Sequence, residues 1–332
     1  MLAARRIGTA TVALAALTAL AACAERPAGS ASAAPSIAGS PSAAASPSPS
    51  PTPVAGSVAG LPGWLYYEAD QGRLVRLTQS APVTVLQSAA WSANVSPDGR
   101  WVAYLADNGD VTVVDRDGGN PRVVMKGSAG VGYEPAWSPD STQLLVARVG
   151  IAAMVPGVVT VATGSFTALA HNPNGIHYLW SADGRHVGYA TGTCQLGEAD
   201  ADGGNARLVP VFGSQDKAKN PNFRRSCDPF SLAPDGSTMA VDMRTGDEPD
   251  GDIGRNLRAN AVVDMATGAL MPLPVPGTVS AVLFQPDGGM LVRSGPSGHG
   301  TLTLLKPDGS VATQVPEPPS AADFALLGYA PA

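Results

Sequence analysis

Aromatic residues make up only 5% of this 332-residue chain and charged residues only 14%, with three cysteines and four histidines. Each shortage removes a class of function. Lysine and arginine total 21 against 27 acidic residues, a formal net charge of −6, and the basic residues are scattered. A nucleic-acid surface needs a concentrated basic patch, so no DNA or RNA partner is expected. The four histidines, His171, His177, His186 and His299, have no spacing that implies a metal or catalytic site. There is no Gly-x-Ser-x-Gly elbow and no His-Glu-x-x-His motif, and no cofactor or resident metal is expected.

What the chain does have is one phrase written five times. Trp137-Ser138-Pro139-Asp140-Ser141 precedes the apolar run Leu144, Leu145 and Val146, and Trp180-Ser181-Ala182-Asp183-Gly184 precedes Val187 and Tyr189. Looser copies carry Pro97-Asp98-Gly99, Pro234-Asp235-Gly236 and Pro286-Asp287-Gly288. Proline presets φ, aspartate bonds its own downstream backbone, and glycine accepts the positive φ that closes the turn. Each copy is therefore strand, tight turn, strand. The aspartates are spaced by 42, 43, 52 and 52 residues, and a period of roughly 40 to 45 with several strands per unit marks a propeller blade.

A second hairpin belongs with each first. Six are readable, at 65–78, 111–125, 158–169, 195–209, 261–273 and 302–315. Six outer hairpins against five inner ones mean a ring cut inside one blade. Residues 324–329 are predicted to pair beside the 65–78 hairpin, giving an all-β, six-bladed propeller over residues 62–332 that is closed by both termini and is expected to be monomeric.

The first 23 residues read as an address. Arg5 and Arg6 precede an apolar stretch that ends Leu20-Ala21-Ala22-Cys23, too short and too soon polar for a membrane span. Residues 24–60 are almost wholly Ala, Ser, Pro, Gly and Val, a disordered tether. Its reach would be roughly 35 Å as coil and up to about 110 Å if extended.

Strand alternation puts the Asp-containing turns on one face of the disc and the variable connections on the other. Two connections are long, 213–229 and 243–260, and as neighbours they form one elaboration. Cys194 and Cys227 fall beside them, and a disulfide is expected, against two reduced thiols as the alternative. It would close a loop of about 34 residues, worth roughly 3 to 4 kcal/mol. Asp242, Asp247, Glu248, Asp250 and Asp252 crowd the second insertion. They read as a solvated acidic loop, with a weak cation site as the alternative. The pairs Asp115/Asp117 and Asp200/Asp202 read as turn residues. Arg224, Arg225, Arg255 and Arg258 share the same insertions, and mixed charge of this kind suits a protein-binding rim. Glu134, His177 and Asp228, at the starts of three consecutive inner strands, are the candidates for a metal-assisted enzyme or small-ligand site at the channel mouth. His171, His177 and Tyr178 fall at the crossover into blade 3, on the loop face near the expected disulfide, and read as surface polar residues at a strand start. Trp137, Trp180, Leu232, Phe284 and Val95 occupy equivalent positions and read as packing between blades, while Trp64, Trp91 and Trp101 fall outside that register.

The Trp-Ser-Pro-Asp phrase, followed by apolar strands and an Asp-x-Asp-Gly turn, resembles the WD40-like or PD40 repeat of TolB-like six-bladed propellers. Leu20-Ala21-Ala22-Cys23 resembles the lipobox of bacterial lipoproteins. That second resemblance implies lipidation of Cys23, a cell-membrane anchor and an extracytoplasmic location. TolB carries a separate α/β domain before its propeller, and here a tether stands in that place. The expected function is a non-catalytic, membrane-tethered module that binds an unknown protein or envelope component.

Overall fold

The computed structural model describes residues 56–249, 257–296 and 298–330. Cys23, Asp250, Asp252 and Arg255 therefore lie outside the described residues, as do the signal segment and most of the tether. The described chain begins with β1 (Trp64–Ala69), β2 (Arg73–Arg76) and β3 (Val83–Leu86). Blade 1 is β4 (Asn94–Val95), β5 (Trp101–Leu105), β6 (Val111–Asp115) and β7 (Arg122–Met125). Blade 2 is β8 (Ala136–Trp137), β9 (Gln143–Val149), β10 (Met154–Thr160) and β11 (Ser165–Ala168). Blade 3 is β12 (Ile176–Trp180), β13 (His186–Ala190), β14 (Leu196–Asp200) and β15 (Arg207–Leu208). Blade 4 is β16 (Pro229–Leu232), β17 (Thr238–Val241), β18 (Ala261–Asp264) and β19 (Leu270–Met271). Blade 5 is β20 (Val279–Phe284), β21 (Met290–Ser294), β22 (Thr301–Leu305) and β23 (Val311–Pro316). Finally β24 (Ala325–Ala330) pairs with β1, so that blade 6 runs β24-β1-β2-β3.

Every sheet is a four-stranded antiparallel meander, and the inner strands meet in a closed circuit of β4, β8, β12, β16, β20 and β24. This is the six-bladed ring. Second and third strands are covered on both faces, so they read as continuous apolar runs: Leu144, Leu145, Val146 and Ala147 in β9 are all buried. Blades are glued by apolar clusters. Leu196, Phe212, Leu232, Met239 and Val263 pack between blades 3 and 4, and Gly188 of β13 leaves the space that Met239 fills.

The closing blade differs in detail from the sequence reading. The hairpin of 64–76 is the second and third strand of its blade, β3 is the outer strand, and the C-terminal segment supplies only the innermost one. The sequence reading makes the 65–78 hairpin the outer pair of its blade, whereas the stretch after β2 leads on to β3. That stretch is a tight connection, in which the Thr78 hydroxyl donates to Ala81 O at 2.7 Å and accepts from Ala81 N at 3.1 Å.

In the inner turns, the Ser96, Ser138 and Ser181 hydroxyls each donate to the aspartate two residues on at 2.6 Å. Each also accepts the backbone N–H that starts the next strand. Asp115 and Asp200 each accept from an asparagine side chain at 2.6 Å in their own turn, and Asp117 is paired with Arg76 of blade 6.

Candidate functional site

Glu134 and His177 meet at the start of the inner strands of blades 2 and 3. His177 Nδ1 lies 2.8 Å from Glu134 Oε2, and the two side chains are only 2% and 3% exposed. The placement depends on an unusual backbone. His177 has φ of 51°, a left-handed value sparsely used by non-glycine residues. It is held there by a 2.7 Å bond from its own N–H to Gly132 O, while Gly132 N donates to Glu134 Oε1 at 3.1 Å. Asn94, Tyr178, Leu179 and Pro229 complete the walls of a space of about 10 Å³, room for about one water. Chemically this is an imidazole oriented by a carboxylate, which could pass a proton to a bound water.

Asp228 starts the inner strand of blade 4 and is almost fully buried. Arg244 Nη2 sits 3.6 Å from its carboxylate and 3.3 Å from that of Asp242, while Arg258 Nε approaches Asp242 at 3.7 Å. Asp228 thus belongs to an ionic cluster at the base of the second insertion. His171 is exposed on the perimeter, where its N–H donates to Asp202 O at 3.1 Å in the outer turn of blade 3. The structure does not bring it to the Glu134–His177 pair.

The two insertions are clasped together. Arg225, read from the sequence as part of a mixed-charge rim, is only 4% exposed. Its guanidinium stacks 4.4 Å from the Phe223 ring and donates to Phe223 O, Gly246 O and Glu248 O. Backbone bonds between Arg225 and Arg244 bridge the same loops. Asn220 pins the first loop by donating to Ser214 O and Arg224 O and accepting from Arg224 N. Asn260 does the same at the neck of the second, donating to Met243 O and accepting from Met243 N. Cys194 and Cys227 form a disulfide beneath this clasp, and Ser226 N donates to Cys194 O at 3.2 Å.

The exposed charged residues of the two insertions, among the described residues, are Asp216, Lys217, Lys219, Asp247, Glu248 and Arg258. Thr245 donates to Glu248 through its N–H and its hydroxyl, which holds that carboxyl below its usual range. No group of three or more His, Cys, Asp or Glu side chains that could hold a metal occurs among the described residues. Arg244, Asn220 and Asn260 were not singled out from the sequence. Asn260 ends its insertion, but Asn220 sits mid-loop two residues from Asn222, and no local pattern marks either.

The opposite mouth of the channel holds a larger space of about 230 Å³, walled by inner-strand residues of all six blades. Trp137, Trp180 and Phe284 pack between blades, as read from the sequence, and with Val95 and Leu232 they also line this space.

Neither a known family model nor a curated protein matches the chain. Solved structures do. TolB from Acinetobacter baumannii is 18% identical with a TM-score of 0.48, over 77% of this chain and 64% of that one. The nidogen/laminin complex matches at 12% and 0.47, over 80% and 97% of the two chains. An oligogalacturonate lyase in complex with manganese matches at 14% and 0.44, over 73% and 69%. The six-bladed assignment rests on the strand pairing described above, and a fold of this kind does not by itself specify an activity.

Proposed function

We propose that this chain is an extracytoplasmic lipoprotein, anchored in the cell membrane through Cys23, whose non-catalytic propeller binds a protein or envelope component with its loop-bearing face. The observation that carries this reading is the clasp between residues 213–229 and the second insertion. A buried guanidinium, a disulfide and two asparagine staples tie together the described parts of the two insertions, 213–229, 243–249 and 257–260. A surface ordered in advance loses little entropy on binding. Its exposed charges are of both signs, which suits a protein-binding rim. A disulfide also fits an oxidising compartment.

The alternative, a metal-assisted enzyme or small-ligand receptor at the channel mouth, is favoured by the Glu134–His177 pair. The space beside that pair is about 10 Å³, far smaller than the roughly 300–1,000 Å³ of ligand sites, whereas a cavity of about 560 Å³ lies at the starts of β20 and β24 on the same face.

One set of full-length variants tests both. Cys23→Ala should leave the membrane fraction. The charge reversal Lys217→Glu/Lys219→Glu/Asp247→Lys should keep the fold by circular dichroism and lose at least about tenfold of the enrichment of whatever the wild type captures from membranes. Retention of every captured component would remove the site assignment. Stoichiometric calcium or zinc in the purified protein would reverse the order of the two readings.

A further inference from the structure

On the loop-bearing face the connections of blades 4, 5 and 6 border a cavity of about 560 Å³, within the roughly 300–1,000 Å³ of small-molecule sites. Blade 4 supplies Leu257 and Arg258 from the end of the second insertion, and blade 6 supplies residues 322–325 where the chain enters β24. Blade 5 stands between them with the start of β20 and the end of β21.

Arg293 of β21 lines the cavity, but Glu317, Phe324 O and Ala322 O engage its donors. Three other polar side chains in the lining are not engaged. Ser294 is 1% exposed, and its Oγ has no hydrogen-bond partner among the described residues. A buried hydroxyl in that state is costly unless something supplies the missing bond. Successive side chains of a strand face opposite ways. Arg293 reaches blade 6, so Ser294 faces the blade 4 side, where Arg258 stands.

The Arg258 guanidinium is exposed and forms no hydrogen bond among the described residues. Its charged neighbour is Asp242, 3.7 Å from Nε and already 3.3 Å from Arg244. From the blade 6 side, Asp323 is exposed, and its carboxylate has neither ion pair nor hydrogen-bond donor among the described residues. Arg258 and Asp323 do not pair with each other. The cavity therefore holds a cationic and an anionic group kept apart, with a buried hydroxyl on the cationic side.

The charge pattern selects the ligand. An anion would satisfy Arg258 but meet Asp323, and a cation would satisfy Asp323 but meet Arg258. A neutral molecule would displace water from both charges and supply no counter-charge to either. A molecule carrying a carboxylate and an ammonium supplies both, and the same carboxylate accepts from Ser294. Leu257, Val279, Pro296 and Phe324 line the remainder and suit an apolar side chain. We propose that this cavity binds a small zwitterion, an α-amino acid or a short peptide with free ends, its carboxylate on Arg258 and Ser294 and its ammonium on Asp323. The site is separate from the clasp and does not depend on the partner surface proposed above.

The test is calorimetric titration of the full chain with L-leucine and with L-alanyl-L-leucine, and whichever binds identifies the source. The N-acetyl form of each keeps only the carboxylate, the amide keeps only the ammonium, and the doubly blocked form keeps neither. Saturable binding of at least one free-ended ligand is expected, at least about tenfold tighter than its blocked forms. Asp323→Asn should abolish the preference over the acetylated form, and Arg258→Gln the preference over the amide. Both side chains are exposed, so the melting temperature should hold. Ser294→Ala, which removes no bond described within the protein, should weaken binding several-fold. No saturable binding of either free-ended ligand, equal affinity for a blocked form, an unchanged preference in Asp323→Asn or Arg258→Gln, or full affinity in Ser294→Ala would overturn the proposal.

Discussion

Arg293, on β21, ties the last blade to the closing one. Its Nε and Nη2 donate to Glu317 Oε2 at 3.0 and 2.7 Å, and its Nη1 and Nη2 reach Phe324 O and Ala322 O, just before β24. Tyr67 of β1 donates to the other oxygen of Glu317 at 2.9 Å. Burial outweighs these partners and holds the Glu317 carboxyl above its ordinary value. Arg293→Met would strand that carboxylate, 1% exposed, with Tyr67 as its remaining side-chain donor. A loss of about 3 to 5 kcal/mol in denaturant unfolding is expected. Because a raised folded pKa contributes stability at low pH that is lost as pH rises through it, the deficit should shrink as pH is lowered towards the ordinary carboxylate range. Arg293→Met/Glu317→Leu should recover most of it. A double variant as unstable as the single one would assign the loss to packing and not to stranded charge. None of this network was legible in the sequence, since Tyr67 and Glu317 lie 250 residues apart. Glu134 and His177 were legible because each begins an inner strand and the repeat supplies the register.

At the scale of the element, the inner turn repays its repetition. Spacing and Pro-Asp-Gly chemistry sufficed to find it, because a turn is specified by residues within five positions of one another. The insertions were located by the 52-residue steps but not resolved internally. Their order comes from long-range side-chain-to-backbone bonds that no local pattern encodes. The turn aspartates also make a pH signature. Burial opposes ionisation of Asp98 and Asp183, but their serine hydroxyls and the N–H groups of Arg100 and Arg185 outweigh it and hold both below the usual carboxyl value. Ser138 and Thr142 lower Asp140, and Ser237 lowers Asp235. A depressed folded pKa contributes stability that is present above the unfolded value and lost as pH falls through the folded one. The urea midpoint should therefore hold from pH 7 to about 5 and fall below about pH 4. Changing Asp98, Asp140, Asp183 and Asp235 together to Asn should flatten that acid slope. An unchanged slope would move its origin elsewhere in the molecule.

For the whole molecule, the decisive contact is the one between the two ends of the described chain. The register sets Trp64 opposite Ala330 and Glu68 opposite Ala325, with a bulge between Tyr66 and Tyr67. Gly63 makes the approach possible: with φ of 111° it lies so close to the Tyr329 ring and Ala330 O that a Cβ would clash at 2.7 and 2.6 Å. The six-fold count was legible because the period repeats, whereas the three-plus-one split of blade 6 was not, because strand identity there depends on a partner at the far end of the chain. Closure also has an energetic role. Without β24 the ring would expose β1 along its hydrogen-bonding edge and uncover Tyr66, Tyr67 and Leu65, all fully buried. Unpaired edges over apolar side chains invite other chains to pair. Deleting residues 325–332 should therefore lower the thermal midpoint, broaden the transition and shift the protein to higher oligomers in size-exclusion chromatography. A synthetic peptide of residues 323–332 supplied in trans should restore the monomer by refilling the edge, as strand addition does elsewhere. If the truncated chain stayed monomeric with an unchanged transition, the other blades would already form a stable arc, and closure would contribute little beyond geometry.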